Sequence, residues 1–241
     1  MKLFYIRHGN PIYDPDSLTP LGKRQAEAVA KRVAMLGVDK IYSSTSNRAY
    51  ETALPLSEIT QKEITKVEFL KESVAGEYFA IPDAEGKYQF AIYIPEIRQI
   101  LVSNEVFQLG YKWYNYPEFK NYKFKEGIEF FDKNIDEFMS TLGYKHNRTN
   151  HSYSAIRENK DKIAIFAHEG VGKVFLSSIL DIPYPIFSSH FAIPHTGMTI
   201  IEFDDLGDNI IPRITSLSND AHLYKEGLPL TFVQRRTAVN N

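Results

Sequence analysis

The sequence predicts an α/β fold, a three-layer sandwich whose mostly parallel central sheet is flanked by helices. Three observations predict it. Lys2-Leu3-Phe4-Tyr5-Ile6 is a short apolar run closed by Arg7-His8-Gly9. Ile163-Ala164-Ile165-Phe166-Ala167 is another, closed by His168. Short runs rich in Ile, Phe and Tyr that stop at a charged or glycine-containing turn read as buried strands. Between them, strand-like and helix-like patterns alternate, as in a right-handed parallel sheet. Ligands of such sheets bind beyond the carboxyl ends of the strands, and both histidines fall at that edge.

Residues 2–6 are read as the first strand, with Pro11 and Pro15 marking a loop after it. Thr19 suits an N-cap and Pro20 the first helical position. Leu21, Ala26, Val29, Val33 and Leu36 recur at helical spacing until Gly37 closes the helix. Val38–Tyr42 reads as the second strand. Ser43-Ser44-Thr45-Ser46 can cap a helix over 47–58, which carries Arg48 in its first turn. Glu68–Leu70 reads as the end of a short third strand.

Residues 78–125 are rich in Tyr and Phe and hold the single tryptophan, Trp113. They read as an insertion over the C-terminal edge of the sheet, within a single domain spanning 1–241. Its aromatics can act as core, as a lid over a substrate, or both. Helical spacing returns over 126–142 (Ile128, Phe131, Ile135, Phe138, Leu142), with Gly143 as the stop. Residues 144–153 are polar and read as a loop. A strand at 163–167, a helix at 170–180 and two strands at 198–204 and 210–217 follow. The tail, 224–241, carries no readable pattern.

The 241 residues are 43% hydrophobic and 24% charged, enough for a substantial core. The net charge of -2 gives no global basic field, which argues against nucleic acid or membrane partners. An anionic ligand must therefore be held by local charge. Without cysteine there are no disulfides, thiolate nucleophiles or Cys-based metal sites. No signal-peptide pattern and no apolar run near ~18 residues is present, so a cytoplasmic location is the expectation.

Phosphoryl transfer fits the residues at the strand ends. Charge spreads over the transferring oxygens, so catalysis is mostly positioning and electrostatics. Arginine can bind two phosphate oxygens at once. Histidine can attack phosphorus and form a covalent intermediate that water then hydrolyses. A carboxyl group with a raised pKa can protonate the departing oxygen. Arg7, His8, Arg48, His168 and a carboxyl near residue 72 supply these parts.

In this arrangement the chain resembles the histidine phosphatase superfamily, the phosphoglycerate mutase-like proteins. Arg7-His8-Gly9 is similar to that family's nucleophile motif. Asp16–Gly22 with Gln25-Ala26 resembles its first loop–helix segment, and Ser43-Ser44 with Arg48-Ala49 and Thr52-Ala53 its second phosphate-arginine segment. Leu70, Glu72 and Gly76 resemble the stretch carrying the proton donor, and Phe166-Ala167-His168 the second-histidine motif. Asn219-Asp220 with His222-Leu223 is a weaker echo of a late segment. The resemblance covers about 1–77 and 126–223. It implies that His8 is the phosphorylated nucleophile, that Arg7 and Arg48 clamp the phosphoryl group, that His168 is a further donor, and that Glu72 is the general acid. The sequence departs from the family at Pro11 and Asp14, where a threonine and an asparagine are common; Asp14 is left outside the site.

Glu77, five residues beyond Glu72, is the alternative acid. His195-Thr196 precedes a strand and can line the pocket. Glu169 can orient an imidazole or favour the start of the next helix. His222 reads as structural, and His146, His151 and His190 as surface residues. No His-x-His or His-Glu-x-x-His spacing occurs, so no metal and no cofactor are expected. A phosphatase acting on a small phosphorylated substrate is the leading function and phosphoglycerate mutase-type transfer the alternative. A mutase calls for extra basic groups over the pocket, and the insertion holds one arginine, Arg98, with Lys112, Lys120 and Lys123. Oligomeric state is not legible in the sequence.

Overall fold

The chain starts with β1 (Lys2–Arg7), a hairpin of β2 (Pro11–Tyr13) and β3 (Asp16–Leu18), and α1 (Pro20–Leu36). Then come β4 (Lys40–Ser44), α2 (Asn47–Thr60), β5 (Ile64–Val67) and α3 (Glu72–Phe79). The insertion continues with a hairpin of β6 (Ala80–Pro82) and β7 (Tyr88–Phe90) and the short helices α4 (Pro95–Leu101) and α5 (Asn104–Gln108). The chain returns through α6 (Phe124–Thr141), a hairpin of β8 (Tyr144–Asn147) and β9 (Ser152–Ala155), and β10 (Lys162–Ala167). It ends with α7 (Glu169–Ile179), α8 (Tyr184–His190), β11 (Met198–Glu202), β12 (Arg213–Asn219) and α9 (Ala221–Lys225). This computed structural model describes residues 1–203 and 209–232.

The central sheet has six strands in the order β12-β11-β1-β10-β4-β5. β1, β10, β4 and β5 are mutually parallel, and β11 runs antiparallel to both its neighbours. Side chains of a strand alternate between faces, and the two cores follow from that. Phe4, Ile6, Ala164 and Phe166 pack against Val29 and Val33 of α1 and Ala53 and Leu56 of α2. Leu3, Tyr5, Ile163 and Ile165 pack on the other face with Ile135 of α6 and Val174 and Phe175 of α7. The predicted three-layer α/β sandwich is the observed architecture.

Local chemistry sets the helix ends. Thr19 caps α1, its Oγ1 accepting from the Gly22 amide at 3.0 Å, and Gly37 closes the helix at φ 83°. The polar run before α2 does not cap it as expected. Ser46 is the N-cap residue but makes no side-chain cap. Instead the Asn47 amide donates to Asp16 Oδ2 at 2.8 Å, so the β2–β3 hairpin supplies the capping carboxylate.

Three further segments differ from the expectation. The third strand is Ile64–Val67, and 68–70 is a 3₁₀ turn. Pairing stops where β4 stops, at Ser44 against Val67, and the Lys71 amide then closes the turn on Glu68. The segment 144–153 is a β-hairpin for most of its length, with Tyr144 opposite Ala155 and Asn147 opposite Ser152. Its inward side chains include His146 and Ser152, so its polarity imitates a loop. The first residues of the tail belong to α9; residue 204 of the predicted strand and residues 233–241 lie outside the described residues.

The aromatic insertion is core for much of its length. Trp113 is buried and packs on Phe119 (5.8 Å between centroids), Phe124 (5.2 Å) and Tyr184 of α8 (5.7 Å). Tyr184 also lies 4.7 Å from Phe79 of α3, which ties the insertion to the helix that starts with Glu72.

Candidate active site

The sheet register brings the two histidines together. Arg7 faces Ala167 across parallel strands, and the His8 amide donates to Ala167 O at 2.9 Å. His8 and His168 therefore leave neighbouring strands at one level, with ring centroids 5.1 Å apart. The turn after β1 is tight. A Cβ on Gly9 would lie 2.6 Å from Gly22 O, and one on Gly22 2.2 Å from Asn10 O. The Gly9 amide donates to Thr52 Oγ1 at 3.0 Å, which binds the turn to α2.

His8 is set up with one bare ring nitrogen. Its Nδ1 lies 2.7 Å from Gly9 O. A carbonyl only accepts, so Nδ1 carries the proton and Nε2 the lone pair. Burial holds the His8 imidazole well below its usual pKa, and His168, Arg7 and Arg48 act in the same direction.

The two arginines are each tethered to a carboxylate. Arg7 Nη1 donates to Glu169 Oε2 at 2.7 Å and to Ile193 O, and its Nε is buried without a partner. Glu169 also meets Lys173, one helical turn on, at 3.2 Å. Glu169 thus orients the arginine and not an imidazole. Arg48 Nη1 donates to Asp16 Oδ1 at 2.8 Å, and its Nε is likewise buried and unpartnered. Asp16 therefore offsets the unfavourable charge of Arg48 in the first turn of α2 and caps that turn as well. Asp14 is exposed.

Glu72 is the first residue of α3, and its carboxylate reaches the start of α7. Oε1 accepts from the Gly170 amide and Oε2 from the Val171 amide, both at 2.8 Å. Burial raises its pKa above the ordinary carboxylate value, although the two amides, Arg7 and Arg48 pull the other way. Glu77 is exposed on the same helix, away from this cluster.

His168 is buried, and its Nε2 lies 2.9 Å from Ser44 Oγ, while Nδ1 has no partner. Burial, then Arg48 and Arg7, hold it well below its usual pKa. His195 joins the group, its ring centroid 5.4 Å from that of His8. Thr196 does not face the pocket with its hydroxyl; its Oγ1 donates to His195 O and meets His222 Nε2 at 3.0 Å. Its amide lies 3.1 Å from Arg7 O and 3.2 Å from His8 O, so it fixes the backbone of the turn that carries His8. His222 is a buried structural support behind Thr196, as expected.

From the insertion, the Phe90 ring covers Gly170: a Cβ there would lie 2.4 Å from Phe90 Cζ and 2.8 Å from Glu72 Oε1. Tyr93 follows, its ring 5.2 Å from Lys173 Nζ. The carboxylates Asp16 and Glu169 escaped the sequence reading as partners of the arginines. Asp16 lies in the first loop–helix segment, but its link to Arg48 spans thirty-two positions. Among the described residues no group of three or more His, Asp and Glu side chains is arranged to hold a metal ion.

Comparison with known proteins points the same way. The family model of the histidine phosphatase superfamily (branch 1) matches residues 3–99. The chain is 29% identical over 154 residues to "Putative phosphoserine phosphatase 2" of Hydrogenobacter thermophilus, covering 60% of this chain and 68% of that protein. It is 37% identical over 76 residues to phosphoserine phosphatase 1 of the same organism, covering 27% and 36%. Among solved structures, the phosphoserine phosphatase of Entamoeba histolytica in complex with 3-phosphoglyceric acid aligns at TM-score 0.57 and 22% identity, over 92% of this chain and 98% of that one. The alpha-ribazole phosphatase of Shigella flexneri aligns at TM-score 0.57 and 17% identity, over 91% and 97%. At these identities the structural likeness is one of fold.

Proposed function

We propose that the chain is a histidine phosphatase of branch 1, a reading supported by the match of that family's model to residues 3–99, and that it hydrolyses a small phosphomonoester through a phosphohistidine on His8. The observation that carries this reading is the bare Nε2 of a neutral His8 beside two guanidinium groups with unpartnered Nε atoms.

The steps follow from the donors present. His8 Nε2 attacks phosphorus while the bond from phosphorus to the ester oxygen breaks. That oxygen takes a proton from Glu72, and the alcohol leaves. Each Glu72 oxygen accepts one amide and keeps a second lone pair, where this proton can sit. Water then attacks the phosphohistidine, gives a proton back to Glu72 and releases phosphate from His8. Arg7 and Arg48 neutralise the charge on the equatorial oxygens. With Nη1 of Arg7 held by Glu169, its Nε–Nη2 edge is the planar pair of donors that fits two phosphate oxygens.

The relatives named phosphoserine phosphatases favour a phosphorylated small molecule of that size. Hydrolysis is favoured over mutase transfer by the insertion. Arg98 is engaged with Ser189 O at 2.7 Å, and Lys112, Lys120 and Lys123 are exposed. The test is phosphate release over a phosphomonoester panel containing phosphoserine and 3-phosphoglycerate, with and without a bisphosphate primer, and with chelator throughout. Chelator-resistant release supports hydrolysis. Primer-dependent isomerisation without release would make the chain a mutase.

A further inference from the structure

His195 and Thr231 carry an inference that rests on this reading and deepens it. His195 is buried, its ring lies beside His8, and its Nε2 is buried without a partner. Its Nδ1 lies 2.8 Å from Thr231 Oγ1. The hydroxyl is itself constrained, because Gln25 Nε2 donates to that same oxygen at 3.1 Å and to Pro229 O at 3.2 Å. Gln25 is held in turn by the Asn10 amide, which donates to its Oε1 at 2.9 Å. The His195 amide donates to Thr231 O at 3.0 Å, so the contact is anchored through backbone and side chain alike.

Thr231 Oγ1 receives an N–H from Gln25 and keeps both its own proton and a second lone pair, so it can meet His195 Nδ1 as donor or as acceptor; the tautomer proposed below has it donating. A neutral imidazole that accepts at one nitrogen carries its proton on the other. With Thr231 donating, Nε2–H is a buried donor without a partner among the side chains around it. The same holds for His168. Ser44 Oγ accepts from the Ser46 amide at 3.2 Å and lies 2.9 Å from His168 Nε2; with Ser44 donating, the unpartnered Nδ1 carries the proton. His8 is the opposite case, held through Nδ1–H with its lone pair outward.

We propose that His195 is a catalytic hydrogen-bond donor to the phosphoryl oxygens in the transition state, and that Thr231 is the positioning residue that sets its tautomer. The segment 229–232 is thereby part of the catalytic machinery, joined through Gln25 to the nucleophile turn. A donor that is neutral and fixed before the reaction stabilises developing charge without reorganising. Burial first, then Arg7, lower the His195 pKa to about 3, so this donor does not titrate across the working pH range.

The experiment compares wild type with His195→Ala, His195→Gln, Thr231→Val and the double variant His195→Ala/Thr231→Val, each checked for a folded circular dichroism spectrum. The readouts are kcat and KM on p-nitrophenyl phosphate and inhibition by orthovanadate and by inorganic phosphate. Loss of one oxyanion donor lowers kcat by about 100-fold. His195→Ala should do so and weaken vanadate, which imitates the transition state, far more than phosphate. Thr231→Val should reduce kcat in the wild-type background and have no further effect in the His195→Ala background, while Thr231→Ser restores activity. A kcat within threefold of wild type for His195→Ala overturns the proposal, as does equal weakening of vanadate and phosphate, or an undiminished Thr231→Val effect in the double variant. If wild type releases phosphate from no ester, the functional reading fails. Vanadate binding by calorimetry to wild type and His195→Ala then decides the donor assignment separately, and equal affinities, or no binding by wild type, overturn it.

Discussion

Glu72 sits on the Gly170 amide at 2.8 Å, so the expected proton donor also closes the amino end of the helix that begins beside His168. One carboxylate thus meets two opposing demands. The amides of Gly170 and Val171 favour its charged form, while burial favours the neutral form and prevails, raising its pKa. A general acid works while protonated, so the raised value extends its working range upward. For Glu72→Gln, kcat/KM on alkyl phosphates, which reads the phosphorylation of His8, should fall by ~10²-fold or more, with little loss of kcat/KM on p-nitrophenyl phosphate, whose oxygen leaves without a proton. In wild type, kcat on alkyl phosphates should decline as pH rises through the Glu72 pKa. Equal losses on both esters would remove Glu72 from the acid role.

Gly170 has no room for a side chain, because a Cβ would meet Phe90 at 2.4 Å and Glu72 Oε1 at 2.8 Å. Gly170→Ala should displace the ring or the carboxylate. Overpacking of this kind costs roughly 1–3 kcal/mol, but here the disturbed atoms belong to the proposed acid. The expected result is a larger proportional fall in kcat than the loss in urea midpoint implies. A variant with lowered stability and unchanged kcat would show that Phe90 alone gives way.

Glu169 joins Arg7 and Lys173 in a buried cluster: the side chains are 2%, 9% and 3% exposed in the order Arg7, Glu169, Lys173. Removing one member of a buried ion pair leaves an uncompensated charge at a cost of roughly 3–5 kcal/mol. Glu169→Ala should therefore destabilise the fold and also free Arg7 Nη1, raising the KM for p-nitrophenyl phosphate. Glu169→Gln retains an acceptor for Arg7 and should recover most of the KM. Unaltered KM in Glu169→Ala would mean that Ile193 O alone orients the arginine.

His8→Ala should abolish turnover, by ~10³-fold or more, with the fold retained. The pH behaviour of the wild-type site has a definite sign. His8, His168, His195 and His222 all have folded pKa values below their unfolded value near 6.5, His195 at about 3 and His222 at about 4. At these four rings the unfolded chain binds more protons than the folded one below pH ~6.5, so their contribution to stability falls as the solution is acidified. For His195 and His222 the loss develops between ~6.5 and those values. In His146→Gln, which removes the opposing contribution of a histidine whose pKa is raised, a urea midpoint that rises on moving from pH ~7.5 to pH ~6 would contradict the neutral, buried state of these rings.

Much of this was legible in the sequence, and the reason is local. β1 and β10 announce themselves as apolar runs, and each delivers its histidine at the next residue, so the fold and the placement of His8 beside His168 are read from one pattern. Thr19 and Gly37 declare the ends of α1 within a single turn of chain. Relationships that span the chain were not legible. Arg7 meets Glu169 and His195 meets Thr231 only because the sheet brings strand ends together. The β8–β9 hairpin was missed because polar His146 and Ser152 are buried alongside Tyr144 and Tyr153, which breaks the alternation of apolar and polar residues that betrays a strand.

That hairpin holds the clearest miss, His146, read as a surface residue and found with its side chain fully buried. Its Nδ1 meets Asp136 of α6 at 3.0 Å, its Nε2 meets Asp181 at 2.8 Å, and its ring stacks on Tyr153 of β9 at 4.1 Å. Arg148 pairs with Asp132 and Asp136, and His151 approaches Asp181 at 3.7 Å. Burial works to lower the His146 pKa, but the bonds to Asp136 and Asp181 outweigh it and the pKa is raised. The stabilisation is therefore fully present below pH ~6.5 and is lost as pH rises through the folded pKa, the reverse of the active-site histidines. Hydrogen bonds to charged groups contribute roughly 1.5–3 kcal/mol. His146→Gln should lower the unfolding free energy by about that amount at pH 5.5 and by much less at pH 9, in urea titrations of both proteins. A difference that is the same at both pH values would mean that His146 acts as packing against Tyr153 and not as a charged link between the two aspartates.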